Sequence, residues 1–146
     1  MNGEPRVRDY QPADFPQVAA IWGETGMGGA ERGDTAEVVE RTLTGGGRLL
    51  VLEEGAEGPL IGTSWLTCDR RRLYLHHFAI RPGFQGRGLA GPLLRASLQV
   101  AKESGYQIKL EVHRTNRRAI ELYLKAGFTR LGDYDVLIVR DPARLP

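Results

Sequence analysis

Cysteine is nearly absent from this chain: among 146 residues only Cys68 occurs. An intrachain disulfide is therefore excluded. No motif around Cys68 supplies the partnered base that a nucleophilic cysteine needs, so it reads as a strand residue. Histidine is scarce as well, with three residues, and no His/Cys/Asp/Glu spacing suggests a metal site. No stretch approaches the ~18 apolar residues of a membrane-spanning helix, so no membrane association is expected. The opening Met1-Asn2-Gly3-Glu4-Pro5-Arg6 lacks the apolar run of a secretory signal, which makes the cytoplasm the expected location. Excess charge is missing too. Twenty basic residues face eighteen acidic ones, a net +2, too little to argue for nucleic acid as a partner. Lysine contributes only 3 of the basic residues and arginine 17. That imbalance reflects either overall compositional bias or anion recognition by the planar guanidinium fork, and the position of each arginine decides between them.

Glycine is what the chain has in excess. It holds 19, roughly one in eight, against an average nearer ~7%. The glycines follow no G-x-y period, which excludes collagen. With 41% hydrophobic and 26% charged residues, the composition is that of a folded chain. The length suits a single domain over residues 1–146, able to bury about two-thirds of its unfolded surface.

Periodicity supplies the elements. Arg6 to Tyr10 alternates as a first strand. Phe15, Val18, Ala19 and Trp22 fall at helical spacing, with Pro12 and Pro16 suited to a helix start. Gly23 to Gly33 reads as a loop. Asp34 and Glu37 resemble a capping box for a second helix through Leu43. Residues 48–54 and 60–67 read as a hairpin and 73–80 as the next strand. A long helix opens at Gly86, with Leu89, Leu93, Leu94, Leu98 and Ala101 on its buried stripe and Gly105 as its left-handed stop. A strand over 106–113 follows, then a helix capped by Asn116 and ended by Gly127, then short strands over 128–131 and 134–140. Meandering strands before one β-α-β unit imply a mixed, mostly antiparallel sheet of about six to seven strands with about four helices, an α/β fold of three layers.

Gly86-Arg87-Gly88-Leu89-Ala90-Gly91 matches G-x-G-x-x-G, the dinucleotide fingerprint. The context is wrong for it, because Arg81 to Gln85 separates the strand from the first glycine and antiparallel strands precede it. Shifted by one register, the segment is Gln85-x-x-Gly88-x-Ala90 after Ile80-Arg81-Pro82. Backbone N–H groups at a helix N-terminus form an anion site, and glycines at 86 and 88 let a phosphate approach closely. Further on, Leu110-Glu111-Val112 leads to Asn116, Ala119, Ile120, Tyr123 and Gly127-Phe128. Together the two motifs resemble the GNAT family, N-acetyltransferases that use acetyl-coenzyme A. The resemblance is strong over residues 73–128 and elsewhere rests on the order and length of the elements.

That resemblance implies a fold, a cofactor and a site. Two parallel strands splay apart and hold acetyl-CoA in the gap. Backbone around Phe78, Ala79 and Ile80 would face the pantetheine arm and thioester. Gln85, Gly86, Arg87, Gly88, Leu89 and Ala90 would take the pyrophosphate, and Asn116 the cofactor arm. Tyr123 would be the general acid to the leaving thiolate. Phenol and thiol pKa values, roughly 10 and 8.5, are close enough for proton sharing. The alternative for Tyr123 is a core tyrosine with a satisfied hydroxyl, and for Asn116 a plain helix cap. The base that takes the proton of the attacking amine is expected on the same strand. His76 is favoured, with His77, His113 and Glu111 as further candidates. Strand alternation lets only one of the paired histidines face the site. The implied activity is acetyl transfer to a primary amine of a small molecule or protein, by direct attack in a ternary complex. A non-catalytic acyl-CoA-sensing module is the alternative. Homodimers are common among such domains. The arginine clusters at 70–72 and at 114, 117 and 118 suit a solvated face or the 3′-phosphate of coenzyme A. Glycines flanking the second helix suggest a lid over the acceptor site.

Overall fold

The computed structural model describes residues 3–146. Strands β1 (Arg6–Asp9), β2 (Arg48–Glu53), β3 (Leu60–Cys68) and β4 (Arg72–Ile80) lie side by side in chain order, each antiparallel to the last. β5 (Gln107–Leu110) closes the five-stranded sheet and runs parallel to β4. Parallel pairing needs a crossover, and α3 (Ala90–Ser104) provides it. The other helices are α1 (Phe15–Thr25), α2 (Ala36–Thr44) and α4 (Arg117–Ala126).

The strand sequences show why the sheet is covered on both faces. β2 reads Leu49-Leu50-Val51-Leu52, apolar without alternation, as expected of a strand buried front and back. Leu49 and Val51 pack with Val18, Ile21 and Trp22 of α1 and Val39 of α2. Leu50 and Leu52 point the other way, toward Leu93 of α3. Leu66, Leu75, Leu94 and Tyr123 extend that second layer toward α4. The sheet thus separates an α1/α2 face from an α3/α4 face.

Arginines pin the first strand. Arg8 donates to both carboxylate oxygens of Asp14, at 2.8 and 2.9 Å, and through Nε to Glu53 at 2.6 Å. Arg6 donates to the same Glu53 oxygen. The Arg8 hydrogen bonds hold the Asp14 carboxyl below its usual range, helped by the Gln11 amide. Burial works hardest on Glu53 and would raise it, but Arg8 and Arg6 outweigh burial and leave it lowered. Several of the arginines in excess are therefore structural.

Four expectations from sequence need correction. α3 begins at Ala90 and not at Gly86, because Gly86 and Gly88 have φ of +79° and +75°, values no helix accommodates. The cap of α2 is Thr35, whose hydroxyl accepts from the Val38 amide, and Asp34 is freed for another partner. β5 covers only 107–110 of the expected 106–113. No strand forms over 128–131 or 134–140, so the sheet has five strands instead of six to seven. A strand needs an edge to pair with, and this apolar segment meets none; Leu137 is 91% exposed.

The glycines after α2 have a packing role. A Cβ on Gly47 would lie 2.5 Å from the Leu66 carbonyl and 2.8 Å from that of Thr42. The same Thr42 accepts a hydrogen bond from the Trp65 indole. A lid swinging about this flank would break both contacts.

Candidate functional site

The β4–β5 ladder runs from Arg72↔Gln107 to Leu75↔Leu110 and stops, while β4 continues to Ile80. Beyond Leu75 a gap therefore opens on the β5 side of β4. The Arg81 amide donates to Ile61 on β3, so by alternation the N–H groups of Phe78 and Ile80 face away from β3, toward the gap. The Ile80 carbonyl accepts from the Gln85 side chain at 2.8 Å, which fastens the next loop to the end of β4.

That loop is the glycine motif. A 3₁₀ turn over Pro82–Phe84 leads to Gln85, then the left-handed Gly86 and Gly88, with Leu89 at the N-cap of α3. Leu89 has no side-chain cap, so the first α3 amides remain available to a ligand. Pro92 sits within the first turn, where its missing N–H costs little. The Arg118 guanidinium would lie 3.5 Å from a Cβ on Gly86, and Arg87 lies over the Phe84 ring at 5.0 Å. Open helix amides, two side-chain-free positions and two nearby cations fit a pyrophosphate.

Asn116 is the N-cap of α4, its side chain accepting from the Ala119 amide at 3.3 Å. Tyr123, about two turns further along α4, packs edge-on against Phe78 of β4 and Phe128, at 6.0 and 5.6 Å between ring centroids. Its ring is nearly buried, and its hydroxyl has no hydrogen-bond partner among the described residues. Burial pushes the phenol up to about 12, so it holds its proton through the neutral range.

The histidines lie on the opposite face. Between Thr63 and Trp65 the β3–β4 register slips by one residue, a β-bulge at which His77 takes φ +46°. The bulge cancels strand alternation. Both His76 and His77 rings approach Trp65, at 6.2 and 5.3 Å, in contrast to the expectation that only one would face a given side. Thr63 anchors the bulge: its hydroxyl donates to the His77 carbonyl and accepts from the Trp22 indole.

The two rings have different partners. His76 shares a hydrogen bond with Thr67 and stacks on Tyr74 at 4.3 Å. Burial first, then the neighbouring His77, lowers its pKa. His77 Nε2 lies 2.9 Å from the Asp34 carboxylate. A carboxylate only accepts, so Nε2 carries the proton and Nδ1 of the neutral ring is the basic nitrogen. Gly28 makes room for this pair, since a Cβ there would collide with Asp34 and come within 2.8 Å of His77 Nε2. Asp34 has no sequence signal beyond its place before a helix, where it mimics a cap. His113 bonds to Thr115 in an exposed turn, apart from this cluster. Glu111 is exposed and adjoins Tyr74, whose phenol is raised by burial and then by that carboxylate.

The model of the acetyltransferase (GNAT) family matches residues 9–128, and the chain belongs to that family. Streptothricin acetyltransferase of Streptomyces lavendulae is 28% identical over 124 residues, covering 83% of this chain and 61% of that protein. An acetyltransferase from Streptococcus agalactiae superposes with a TM-score of 0.74 at 17% identity, over 92% of this chain and 90% of that one. A GNAT family acetyltransferase from Elizabethkingia anophelis, solved with acetyl-CoA bound, gives 0.64 at 19% identity over 86% of this chain and 76% of that one. The chain spans about half the length of the curated relatives it matches. No described helix is long and apolar enough to cross a membrane.

Proposed function

We propose that this domain moves the acetyl group of acetyl-CoA to a primary amine by direct attack in a ternary complex. The observation that carries the reading is the end of the β4–β5 ladder at Leu75, with Tyr123 on one side of β4 and the histidine pair on the other. Residues 85–90 and Arg118 hold the pyrophosphate, and Asn116 lies beside the arm. The Phe78 and Ile80 amides meet the thioester, where an N–H stabilises the charge building on oxygen. The amine nitrogen bonds to the carbonyl carbon as the carbon–sulfur bond breaks. Tyr123 gives its proton to the departing sulfur. His77 Nδ1, oriented by Asp34, takes the proton that nitrogen loses, and His76 assists from the adjacent position. His77 is preferred over His76 as base because it has a carboxylate partner and its neighbour's basicity is lowered.

Acetyl-CoA at 100 times its dissociation constant is expected to stabilise the fold by about 2.7 kcal/mol. Differential scanning fluorimetry measures this, and an unchanged melting temperature at millimolar ligand removes the acetyl-CoA reading. Thiol release from a panel of amines then identifies the acceptor class. Binding without release from any amine is the result expected of an acyl-CoA sensor instead.

Gly28→Ala tests the base. Its methyl displaces the end of the Asp34 side chain, a local cost of about 1–3 kcal/mol. Turnover is expected to fall about as far as in Asp34→Asn, roughly ten-fold or more. Both variants at wild-type turnover would remove the Asp34–His77 pair from the mechanism.

A further inference from the structure

The N-terminal end of β4 carries positive charge that neither the core nor the proposed cofactor explains. The β3–β4 turn and β5 enclose an open cleft of about 340 Å³, whose polar lining is Thr67, Asp69, Arg71, Arg72, Tyr74 and Lys109. Asp69 sets the turn, its Oδ1 accepting from the Arg71 and Arg72 amides at 2.8 and 2.7 Å. The Arg71 guanidinium also reaches Asp69, at 3.4 Å. Arg72 and Lys109 make no ion pair among the described residues. Three cations against one carboxylate leave the cleft positive. Phosphates held at residues 85–90 lie beyond Ile80, and Arg72 is eight residues back along β4, about 26 Å at ~3.3 Å per residue. The proposed cofactor site therefore does not claim these cations.

The cleft does share a face with the histidines. Tyr74 stacks on His76 at 4.3 Å, and the Lys109 ammonium lies 5.8 Å from the centroid of the Tyr74 ring. Thr67, in the cleft wall, bonds to His76 Nε2 at 2.9 Å. Leu75, which alternates with Tyr74 and His76, is buried on the other face with Leu94 and Tyr123. One surface thus runs from the Asp34–His77 pair past His76 and Tyr74 to Arg72 and Lys109. Its ends differ in sign. Asp34 bonds to His77, and the Glu111 charge acts on His76, while the cations stand at the far end. An ammonium is drawn to the first end and an anion to the second.

We propose, resting on the acetyl-transfer reading, that this cleft binds an anionic group, carboxylate or phosphate, carried at the far end of the acceptor amine. Arg72 and Lys109 are its main donors, with Arg71 beside them. Geometry sets the length of the acceptor. Four residues of strand separate Arg72 from His76, about 13 Å, and side chains reaching inward shorten this to roughly 10 Å. An extended tripeptide spans about that distance between its amine and its carboxylate.

Steady-state kinetics on triglycine, triglycine amide and an aminoalkyl phosphate of similar length tests this. The better of the two acids is expected to exceed the amide in kcat/KM by about ten-fold or more, and which one leads tells carboxylate from phosphate. Arg72→Gln and Lys109→Gln should each reduce that preference, and the double variant should abolish it. Both side chains are exposed, so the fold should tolerate the changes. No preference for an acid in the wild type overturns the proposal, as does a preference that survives in the double variant. Calorimetric binding of the same three compounds to the coenzyme A complex is read apart from turnover. Acid-selective binding that the double variant loses supports the cleft even if no amine is acetylated, a result that would instead remove the transferase reading. Acetylation without acid preference removes the cleft and keeps the transferase. Failure of either acid to bind overturns the cleft whatever the turnover.

Discussion

Tyr123→Phe is expected to lower turnover by about 10²–10⁴-fold while leaving acetyl-CoA affinity within a few-fold of wild type. The hydroxyl has no protein partner among the described residues, so its removal orphans nothing. The ring contacts to Phe78 and Phe128 persist in phenylalanine. Binding and folding should therefore be nearly untouched, and under the proposed mechanism the loss falls on the step in which sulfur acquires its proton. Steady-state kinetics with an activated thioester separates the roles. A leaving group of low pKa needs no acid, so it should recover much of the lost rate. Unchanged turnover with the ordinary thioester would exclude Tyr123 as the acid. The alkaline limb gives an independent readout. Burial raises the phenol to about 12, so the unfolded chain ionises first, near 10. The folded state then binds more protons, and stability should decline as pH rises from roughly 10 to 12. Tyr123→Phe should lack that component.

Arg8→Met is expected to destabilise the fold by about 3 kcal/mol, the lower part of the ~3–5 kcal/mol range for breaking a buried ion pair. Arg8 serves two nearly buried carboxylates, Asp14 and Glu53, and methionine keeps much of its stem while removing the donors. Asp14 would lose its arginine partner. Glu53 would keep Arg6, which moderates the loss. Chemical denaturation at neutral pH measures the difference, and a change under 1 kcal/mol would show that the network adds little. The pH dependence has a definite sign. Both carboxyls sit below their ordinary values in the folded state, so their contribution is present above about pH 4 and is lost as pH falls through the lowered values. In Arg8→Met this acid-induced loss should be shallower, because part of the stabilisation is already gone at neutral pH.

Part of the local structure around the candidate site is legible in the sequence alone. The Gln85–Ala90 loop, the left-handed stops at Gly105 and Gly127 and the placing of Tyr123 on a buried helix face follow from local chemistry. Glycine either relieves a positive φ or it does not, and a 3.6-residue period states which face is buried. The histidines were harder. Alternation predicts opposite faces for His76 and His77, and a single bulged residue defeats that rule. The Asp34–His77 pair joins residues 43 positions apart, and no short window of sequence holds both. The final strands failed for a similar reason. Strand propensity belongs to a segment, but a strand exists only when another edge accepts its hydrogen bonds.

By itself, then, the sequence determined what is local: helices and their stops, strands buried on two faces, a glycine loop leading into a long helix, and the order of elements typical of its family. Tertiary structure decided what depends on two distant segments meeting. It opened the gap beyond Leu75, turned both histidines toward Trp65, gave one of them a carboxylate and left the β5 edge free. Backbone conformation answers to neighbouring residues, whereas pairing and desolvation answer to whatever the folded chain brings alongside.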